Sequence, residues 1–345
     1  MLKKGTLVAL AAVLALAAGA GSGTATTGKT AAGALRGAGS TFVSPLMSVW
    51  VAPYEAATGV HMDYNPIGSG GGIQAITNRT VDFGASDAPL TPDQFAACNG
   101  CVQIPLTMSS TSIAYNLPGM PPHLKITGTV IANIYLGKIK KWNDAALKNL
   151  NPGVNLPDTD ITPIWRSDGS GTTYNFTDYL QKVSPAWRSK VGRSTQVNFP
   201  EGVGGRGSSG VSAVLSRTVG GITYVDVAFS LRSHFSFFKV KNKAGVFQLP
   251  GTRAIKAAAA TVTKVPANNE LHIVDPPKSQ RLAYPICTFV YVILPTKSGN
   301  AAALRKFTFW GMTNGTKRFG PKLLFVQVPP KVLSASERTL KKVQG

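Results

Sequence analysis

Residues that bind metal ions or serve as general bases in hydrolases are scarce in this chain of 345 residues. It has three cysteines and four histidines, and the histidines, at positions 61, 123, 234 and 272, are far apart. A metal site needs several such ligands at defined spacing, and a serine hydrolase needs a histidine beside its nucleophile. The G-x-S-x-G pattern of a nucleophile elbow is also missing at Ser69, Ser170 and Ser208. We therefore expect no metal, no other cofactor and no histidine-dependent hydrolase.

Acidic residues are scarce as well. The chain has 15 Asp and Glu residues against 36 Lys and Arg residues, which gives a formal net charge of +21. Such a charge can indicate nucleic acid, an anionic membrane or an acidic ligand as partner. The basic residues are spread along the sequence, and aromatic residues do not alternate with them as in proteins that bind single-stranded nucleic acid. We expect no nucleic-acid partner, and a general positive field and adaptation to an acidic exterior both stay open as explanations.

Long apolar segments are absent after the N-terminus. Residues 7–18 are Leu, Val and Ala and follow Lys3 and Lys4, and this segment is too short to span a bilayer comfortably. The pattern predicts a signal peptide over 1–25, followed by a flexible leader over 26–34. No cysteine lies near this junction. We therefore expect a protein that is periplasmic or otherwise extracytoplasmic, exported by its signal peptide and not lipid-anchored.

The three cysteines fall in two places. Cys98 and Cys101 form a C-x-x-C motif in a polar stretch that we predict to be a loop, and Cys287 lies in an apolar segment. In an oxidising compartment, the pair is expected to form a local disulfide. A thioredoxin-like motif would instead place the pair at the start of a helix after a strand. Cys287 is predicted to be a buried thiol.

Apolar periodicity predicts strands that alternate with helices. Strands are predicted over 60–64, 81–85, 102–106, 112–116, 162–165, 221–225 and 283–294. Helices are predicted over 45–57, 73–78, 130–136, 172–182, 211–217 and 301–310, with an amphipathic piece after residue 330. This alternation favours an α/β fold, in which ligands bind beyond the carboxyl ends of the strands.

Three short segments rich in hydroxyl groups and small residues each precede a predicted helix. They are residues 39–42, 68–72 and 166–172. Hydroxyls and backbone N–H groups at helix N-termini donate hydrogen bonds to an oxyanion without adding charge, and Arg166 places one cation within reach. The pattern therefore predicts an anion receptor. Taken singly, Thr41 and Ser69 also fit the role of helix caps.

Asp87, at the end of a predicted strand, indicates which anion is bound. Phosphate at neutral pH keeps at least one proton, which a carboxylate can accept in a hydrogen bond. Sulfate has no proton to offer, so its charge would meet that of the carboxylate. By residue type alone, Asp87 also fits the role of a turn aspartate before Ala88 and Pro89.

Four segments, in order along the chain, resemble the successive motifs of the phosphate-binding proteins of Pst-type ABC transporters, the PstS family. They are Gly-Ala-Gly-Ser-Thr-Phe at 37–42, Gly-Ser-Gly-Gly-Gly at 68–72, Val-Asp-Phe-Gly-Ala-Ser-Asp-Ala-Pro-Leu at 81–90 and Arg-Ser-Asp-Gly-Ser-Gly-Thr at 166–172. The resemblance covers nearly the whole chain after the signal. It departs from the family at Ser208, where the family often has Asn, and that leaves the role of this loop open.

The resemblance implies a two-lobed type II periplasmic-binding-protein fold of the α/β class. Each lobe is then a mixed sheet flanked by helices, and the ligand lies in the cleft between the lobes. The chain would cross between the lobes twice, so that residues 35–108 and 285–345 form lobe 1 and residues 109–284 form lobe 2.

The resemblance also implies a set of phosphate-binding residues, with Asp168 as the ion-pair partner of the arginine. They are Thr41, Phe42 through its backbone N–H, Ser69, Asp87, Arg166, Ser170, Gly171 and Thr172. The implied protein is not an enzyme; it captures inorganic phosphate and delivers it to the membrane permease subunits of an ABC transporter. Two alternatives stay open: a receptor for another tetrahedral oxyanion, arsenate or sulfate, and a phosphate-processing enzyme.

Overall fold

The computed structural model describes residues 34–345. The predicted signal peptide over 1–25 and the predicted leader up to residue 33 lie outside the described residues. The strands are β1 Leu35–Gly39, β2 Met62–Asn65, β3 Phe83–Ser86, β4 Cys101–Asn116, β5 Lys125–Ile126, β6 Thr162–Arg166, β7 Val203–Gly205, β8 Gly221–Asp226, β9 Ser236–Phe237, β10 Lys239–Lys241, β11 Phe247–Gln248 and β12 Cys287–Pro295.

The helices alternate with these strands. They are α1 Ser44–Thr58, α2 Ser69–Thr77, α3 Pro92–Cys98, α4 Gly128–Tyr135, α5 Ala145–Leu150, α6 Gly171–Val183, α7 Pro185–Lys190, α8 Gly207–Arg217, α9 Val227–Arg232, α10 Thr252–Ala259, α11 Ala301–Trp310, α12 Thr316–Phe319 and α13 Pro330–Leu340. A π-helix over Gly311–Gly315 joins α11 to α12, and a 3₁₀-helix over Pro321–Leu323 follows α12. Within residues 34–345, no helix is long and apolar enough to cross a membrane.

Most of the strands belong to one mixed sheet with the order β2-β1-β3-β12-β4-β8-β6-β7, and β9 also pairs with β4. In one half, β1 runs parallel to β2 and β3, whereas β12 is antiparallel to β3 and β4. In the other half, β8 is antiparallel to β4 and parallel to β6, and β6 is parallel to β7. We call the half with β1, β2 and β3 the first lobe and the half with β6, β7 and β8 the second lobe. A smaller sheet has the order β11-β10-β5.

Each lobe has its own apolar core. In the first lobe, Trp50 and Tyr54 of α1 pack edge to face against Phe307 of α11. In the second lobe, the rings of Phe176 on α6 and Tyr224 on β8 stack with their centroids 4.1 Å apart. The amphipathic pattern of each helix turns one face toward its own half of the sheet, which produces a two-lobed α/β fold.

Strand β4 connects the two lobes as one element of 16 residues. The prediction of two separate strands over 102–106 and 112–116 was wrong, because the polar stretch between them stays extended. Among its buried hydroxyls, Thr107 Oγ1 donates to the Val326 carbonyl at 3.1 Å and Ser109 Oγ to the Leu324 carbonyl at 3.0 Å, whereas Ser110 Oγ and Thr111 Oγ1 have no hydrogen-bond partner among the described residues. Buried hydroxyls that are hydrogen-bonded are compatible with the interior of a sheet.

Other sequence predictions differ from the structure at short elements. The α1 and α11 helices confirm the predictions over 45–57 and 301–310. The C-x-x-C motif was predicted to lie in a loop, but Cys98 ends α3 and Cys101 begins β4. Helix α3 begins with a capping box in which Thr91 and Gln94 bond to each other's backbone N–H, a local device that stabilises a short helix without apolar periodicity.

Candidate anion-binding site

The first lobe gathers hydroxyl groups around the Asp87 carboxyl. Strands β1 and β3 are parallel neighbours, so the residues that follow them meet at one edge of the sheet. Ser40 follows β1, Asp87 follows β3, and Ser69 begins α2. Ser40 Oγ donates to Asp87 Oδ1 at 2.6 Å, and Ser69 Oγ donates to the same oxygen at 2.9 Å. Residues far apart in sequence thus form one buried polar cluster.

The second lobe contributes the N-terminus of α6. Ser170 caps this 13-residue helix, with its Oγ accepting a hydrogen bond from the Thr173 N–H at 3.1 Å. Across the cleft, Thr172 Oγ1 donates to Asp87 Oδ2 at 3.0 Å. The amide of Asn175, one turn further along, donates to the Asp87 carbonyl at 2.5 Å. The free N–H groups of the first helical turn and the hydroxyls of both lobes therefore surround one point.

Glycine permits this close approach of the lobes. A Cβ atom on Gly171 would lie 2.6 Å from Asp87 Cγ and 2.7 Å from the Ala88 N atom. Any side chain at this position would force α6 away from the first lobe. In this segment, Ser170 caps α6, Gly171 permits contact with the first lobe, and Thr172 donates a hydrogen bond to Asp87.

Burial of the Asp87 carboxyl opposes its negative charge, whereas its hydrogen bonds and the charge of Arg166 stabilise it. The side chain is 1% exposed. Burial raises the pKa of Asp87, while the hydrogen bonds from Ser40, Ser69 and Thr172 and the charge of Arg166 lower it. The carboxylate is therefore stabilised mainly by neutral donors, and it keeps a strong tendency to share a proton with a ligand.

Arg166 forms a two-pronged ion pair with Asp168. Its Nε donates to Asp168 Oδ1 at 2.7 Å and its Nη2 to Oδ2 at 2.5 Å, and the arginine side chain is 2% exposed. The Gly207 N–H donates to Asp168 Oδ1 at 2.9 Å. Burial alone would raise the pKa of Asp168, but the hydrogen bonds and charge of Arg166, together with the Gly207 N–H, lower it overall. The pair fixes the guanidinium plane, and Arg166 Nη1 makes no hydrogen bond to any residue between 34 and 345.

Thr41 and Phe42 lie directly before α1, and Thr41 contacts the second lobe. Thr41 Oγ1 lies 2.9 Å from Ser208 Oγ and accepts a hydrogen bond from the Ser208 N–H at 3.1 Å. The Phe42 N–H donates to Ser40 Oγ at 3.1 Å, whereas its ring is buried edge to face against Phe325. Only the backbone of Phe42 is therefore available to a ligand. Ser208, whose role the sequence left open, joins the same cluster.

Sequence reasoning missed several members of this cluster. Ser40 was in a recognised motif but was not chosen as a site residue. Asn175 and Thr288 both donate to the Asp87 carbonyl, Thr288 from β12 at 3.1 Å. Asp226 is fully buried at the N-terminus of α9, where Oδ1 accepts from the Phe229 N–H at 3.0 Å. No local pattern distinguishes these residues from ordinary capping and strand residues.

Asp226 is the least well paired carboxyl near the cleft. Its Oδ2 is buried and has no hydrogen-bond partner among the described residues. Burial raises the pKa of Asp226 well above its ordinary value, with the Asp87 charge adding to the rise and the Phe229 N–H, Ser208 and Arg166 opposing it. The protonated form of this carboxyl is therefore favoured in the folded protein.

The remaining candidate residues lie outside the cluster. Cys98 and Cys101 are joined by a disulfide, and Arg79 Nη1 lies 3.4 Å from each sulfur. Cys287 is a free, buried thiol, and burial raises its pKa. Among residues 34–345, no three His, Cys, Asp or Glu side chains are placed to hold a metal ion.

Comparison with known proteins gives the family. A family model described as a PBP superfamily domain matches residues 24–313. The phosphate-binding protein PstS of Xylella fastidiosa strain Temecula1 is 40% identical over 307 residues, which cover 88% of this chain and 84% of that protein. The phosphate-binding protein PstS of Pasteurella multocida is 37% identical over 308 residues, which cover 88% of this chain and 89% of that protein. The chain belongs to the PstS family.

A solved structure places this PstS-family chain in the same fold. The high-affinity periplasmic phosphate-binding protein PfluDING, bound with phosphate, superposes with a TM-score of 0.69 at 20% identity. The match covers 88% of this chain and 93% of that one. The two-lobed periplasmic-binding-protein fold expected from the sequence is confirmed.

Proposed function

We propose that this PstS-family protein binds inorganic phosphate in its cleft and delivers it to the permease of a phosphate ABC transporter. The observation that carries the proposal is the buried Asp87 carboxyl, which lies among hydroxyl donors from both lobes and near Arg166. Relatives that are 40% and 37% identical carry the name phosphate-binding protein PstS, which supports the same ligand. The protein is a transport receptor, not an enzyme.

Neutral donors bind the anion in this proposal. The hydroxyls of Thr41, Ser69, Ser170 and Thr172 and the N–H groups of Phe42 and Gly171 donate to phosphate oxygens. Hydroxyls that donate to Asp87 in the structure can rotate toward a phosphate oxygen, because a hydroxyl proton turns freely about its C–O bond. The start of α6 adds the partial positive charge of a helix N-terminus.

Asp87 supplies selectivity by accepting the proton of the phosphate. The cluster around it is buried, so a ligand without a proton would leave two negative charges in contact without solvent between them. Hydrogen phosphate and hydrogen arsenate both offer a proton, whereas sulfate does not. The proposal thus predicts rejection of sulfate and tolerance of arsenate.

Arg166 supplies the single positive charge of the site. Asp168 binds Nε and Nη2 along one edge of the guanidinium and matches its charge, which leaves Nη1 for the phosphate. A cation neutralised in this way orients the ligand without binding it so strongly that release becomes slow.

The two lobes close on the ligand in this proposal. We take lobe 1 as residues 35–108 and 285–345 and lobe 2 as residues 109–284. Three contacts of the structure support a closed state: Thr172 with Asp87, Thr41 with Ser208, and the Gly70 N–H with the Gly169 carbonyl at 2.9 Å. A ligand that bonds to both lobes favours this state over an open one.

The protein acts outside the cytoplasm in this proposal. The predicted signal peptide over 1–25 would export it, without a lipid anchor. The disulfide between Cys98 and Cys101 fits an oxidising compartment, and the structurally similar PfluDING is described as periplasmic.

Calorimetry on phosphate-stripped protein tests the proposal. We expect one phosphate per chain with a Kd of about 1 μM or tighter, which corresponds to about −8 kcal/mol. Arsenate should compete with phosphate, and sulfate should give no heat. A clear signal with sulfate and none with phosphate would overturn the assignment. Release of phosphate from an added phosphate ester would instead favour the enzyme alternative.

A further inference from the structure

Basic residues occur along the whole sequence, but they are densest in the C-terminal part of the fold. Residues 297–342 contain seven lysines, three arginines and one acidic residue, whereas residues 34–296 contain 23 basic and 14 acidic residues. We call the ten cations the C-terminal basic face. They are Lys297, Arg305, Lys306, Lys317, Arg318, Lys322, Lys331, Arg338, Lys341 and Lys342.

The fold leaves these charges unpaired in solvent. All of the ten side chains except the half-buried Arg305 are exposed. They lie on or beside α11, α12 and α13, where α11 packs against α13 and α12 against α1. The ion pairs among residues 34–345 include none of the ten. Apart from Arg305, whose guanidinium donates to the Val343 carbonyl, these cations are therefore available to a partner.

Two shallow grooves on this face combine cations with apolar side chains. The first lies between α11 and α13 and is lined by Arg305, Lys306, Phe309, Glu337, Leu340 and Lys341. Its Phe309 side chain is 47% exposed, although it is a large apolar group. The second lies between the end of α1 and α12, where Trp310 and Phe319 are flanked by Lys317 and Arg318. Exposed aromatic groups among cations are typical of surfaces that contact the headgroup region of a membrane.

We propose that the C-terminal basic face binds reversibly to anionic phospholipid headgroups at a membrane surface. Lysine accounts for seven of its ten cations. Lysine is a flexible, hydrated point charge, which suits a diffuse negative surface, whereas the planar fork of arginine suits defined carboxylate or phosphate partners. The spread of the charges over three helices fits an extended surface better than one acidic peptide. Each lysine near an anionic membrane adds to the attraction, which salt screens.

The basic face lies away from the anion site. Helix α1 begins at Ser44, beside Thr41 and Phe42, and the second groove contacts it at Pro53 and Ala57. At a rise of 1.5 Å per residue, the near end of this groove is about 14 Å along the helix from the cleft. Membrane binding should therefore leave the cleft free, and the inference does not depend on which anion the cleft takes.

Cosedimentation with lipid vesicles tests this inference. The probes are vesicles of phosphatidylcholine alone and vesicles that contain about one third phosphatidylglycerol. The test variant reverses three charges of the face, Lys306→Glu, Lys317→Glu and Lys341→Glu. The control variant reverses three exposed lysines that belong to no ion pair elsewhere on the protein, Lys190→Glu, Lys264→Glu and Lys278→Glu.

Both variants change the net charge by the same amount. A difference in vesicle binding between them therefore reports the effect of the C-terminal basic face and not that of the net charge. We expect the parent and the control to bind the anionic vesicles at low salt within about threefold of each other, and the test variant to bind about tenfold more weakly. High salt should release all three proteins, and the neutral vesicles should bind none.

Three results would overturn the inference: equal loss in both variants, equal binding to neutral vesicles, or binding to polyglutamate without binding to anionic vesicles. Phosphate calorimetry on the same variants keeps the two proposals apart. Absence of phosphate binding in the parent and in both variants, with an intact vesicle response, would contradict only the proposed function. Unchanged phosphate binding with no vesicle response would contradict only the basic face.

Discussion

The two lobes present carboxyl groups to the cleft in opposite electrostatic settings. Asp87 of the first lobe accepts hydrogen bonds from three neutral hydroxyls, and burial raises its pKa. Asp168 of the second lobe is held by the Arg166 guanidinium, and its pKa is lowered. The same residue type therefore has two roles. In the proposed function, Asp87 accepts a proton from the ligand, whereas Asp168 fixes the guanidinium of Arg166.

In the proposed function, this difference explains how the site can attract an anion and still reject the wrong one. The second lobe attracts the anion with a charge that is already matched, so it discriminates little between oxyanions. The first lobe discriminates because its carboxylate has no cation bound to it directly. Changes to each carboxyl or its partner can therefore separate attraction from selectivity.

The largest effect is expected from removal of the cation. Arg166→Ala leaves Asp168 without its partner and places two uncompensated carboxylates beside the ligand. We expect phosphate affinity to fall about 100-fold, which corresponds to about 2.7 kcal/mol. Calorimetry measures it, with the exposed Arg217→Ala as control.

A double variant sharpens this test. Asp168→Ala added to Arg166→Ala removes the uncompensated charge, so part of the affinity should return. Binding by Arg166→Ala within about twofold of the parent would show that the cation has no role in the site.

A change in selectivity is expected from Asp87→Asn. The amide removes the negative charge and can donate where the carboxylate could only accept. We expect the ratio of phosphate to sulfate affinity to fall at least about tenfold, with a smaller loss in phosphate affinity itself. Competition calorimetry with both anions measures the ratio. The matched control is Asp93→Asn, at an exposed position of α3; if its ratio changes as much, selectivity does not reside at Asp87.

The smallest effect concerns Asp226, which has neither the hydroxyl donors of Asp87 nor the cation of Asp168. Its pKa is raised in the folded protein, so its stabilising contribution is present at acid pH and is lost as the pH rises through the folded-state value. Asp226→Asn stays neutral at every pH. We therefore expect the Tm of this variant, relative to the parent, to increase by about 2 °C between pH 5 and pH 8.

Differential scanning calorimetry across this pH range tests the expectation. Asp144→Asn, which changes another helix-capping aspartate, serves as the control. A uniform loss of stability in Asp226→Asn at every pH would mean that Asp226 stabilises the protein only as the cap of α9 and that its ionisation has no effect on stability.

The sequence predicted the parts of the fold and of the site that depend on local chemistry. Glycine-rich and hydroxyl-rich turns before helices identified Ser69, Arg166 and Thr172, and apolar periodicity identified α1 and α11. The rest depends on contacts between distant residues. Ser208 meets Thr41 across 167 positions, and the polar middle of β4 lies between β12 and β8 with the Thr107 hydroxyl donating to the Val326 carbonyl. Neither contact leaves a local pattern.

The same long strand has a mechanical consequence for the motion of the lobes. On β4, pairing with β12 covers Cys101–Ser110, and pairing with β8 covers Thr111–Asn116 on the opposite edge. Thr111, which pairs with Asp226 of β8, also donates its N–H to the carbonyl of Ile286, directly before β12, at 2.8 Å. A strand that is paired along one edge in its first half and along the other edge in its second half bends most easily where the pairing changes edges. That point lies between Ser110 and Thr111, so we expect the lobes to tilt there while each half of the sheet keeps its own ladder.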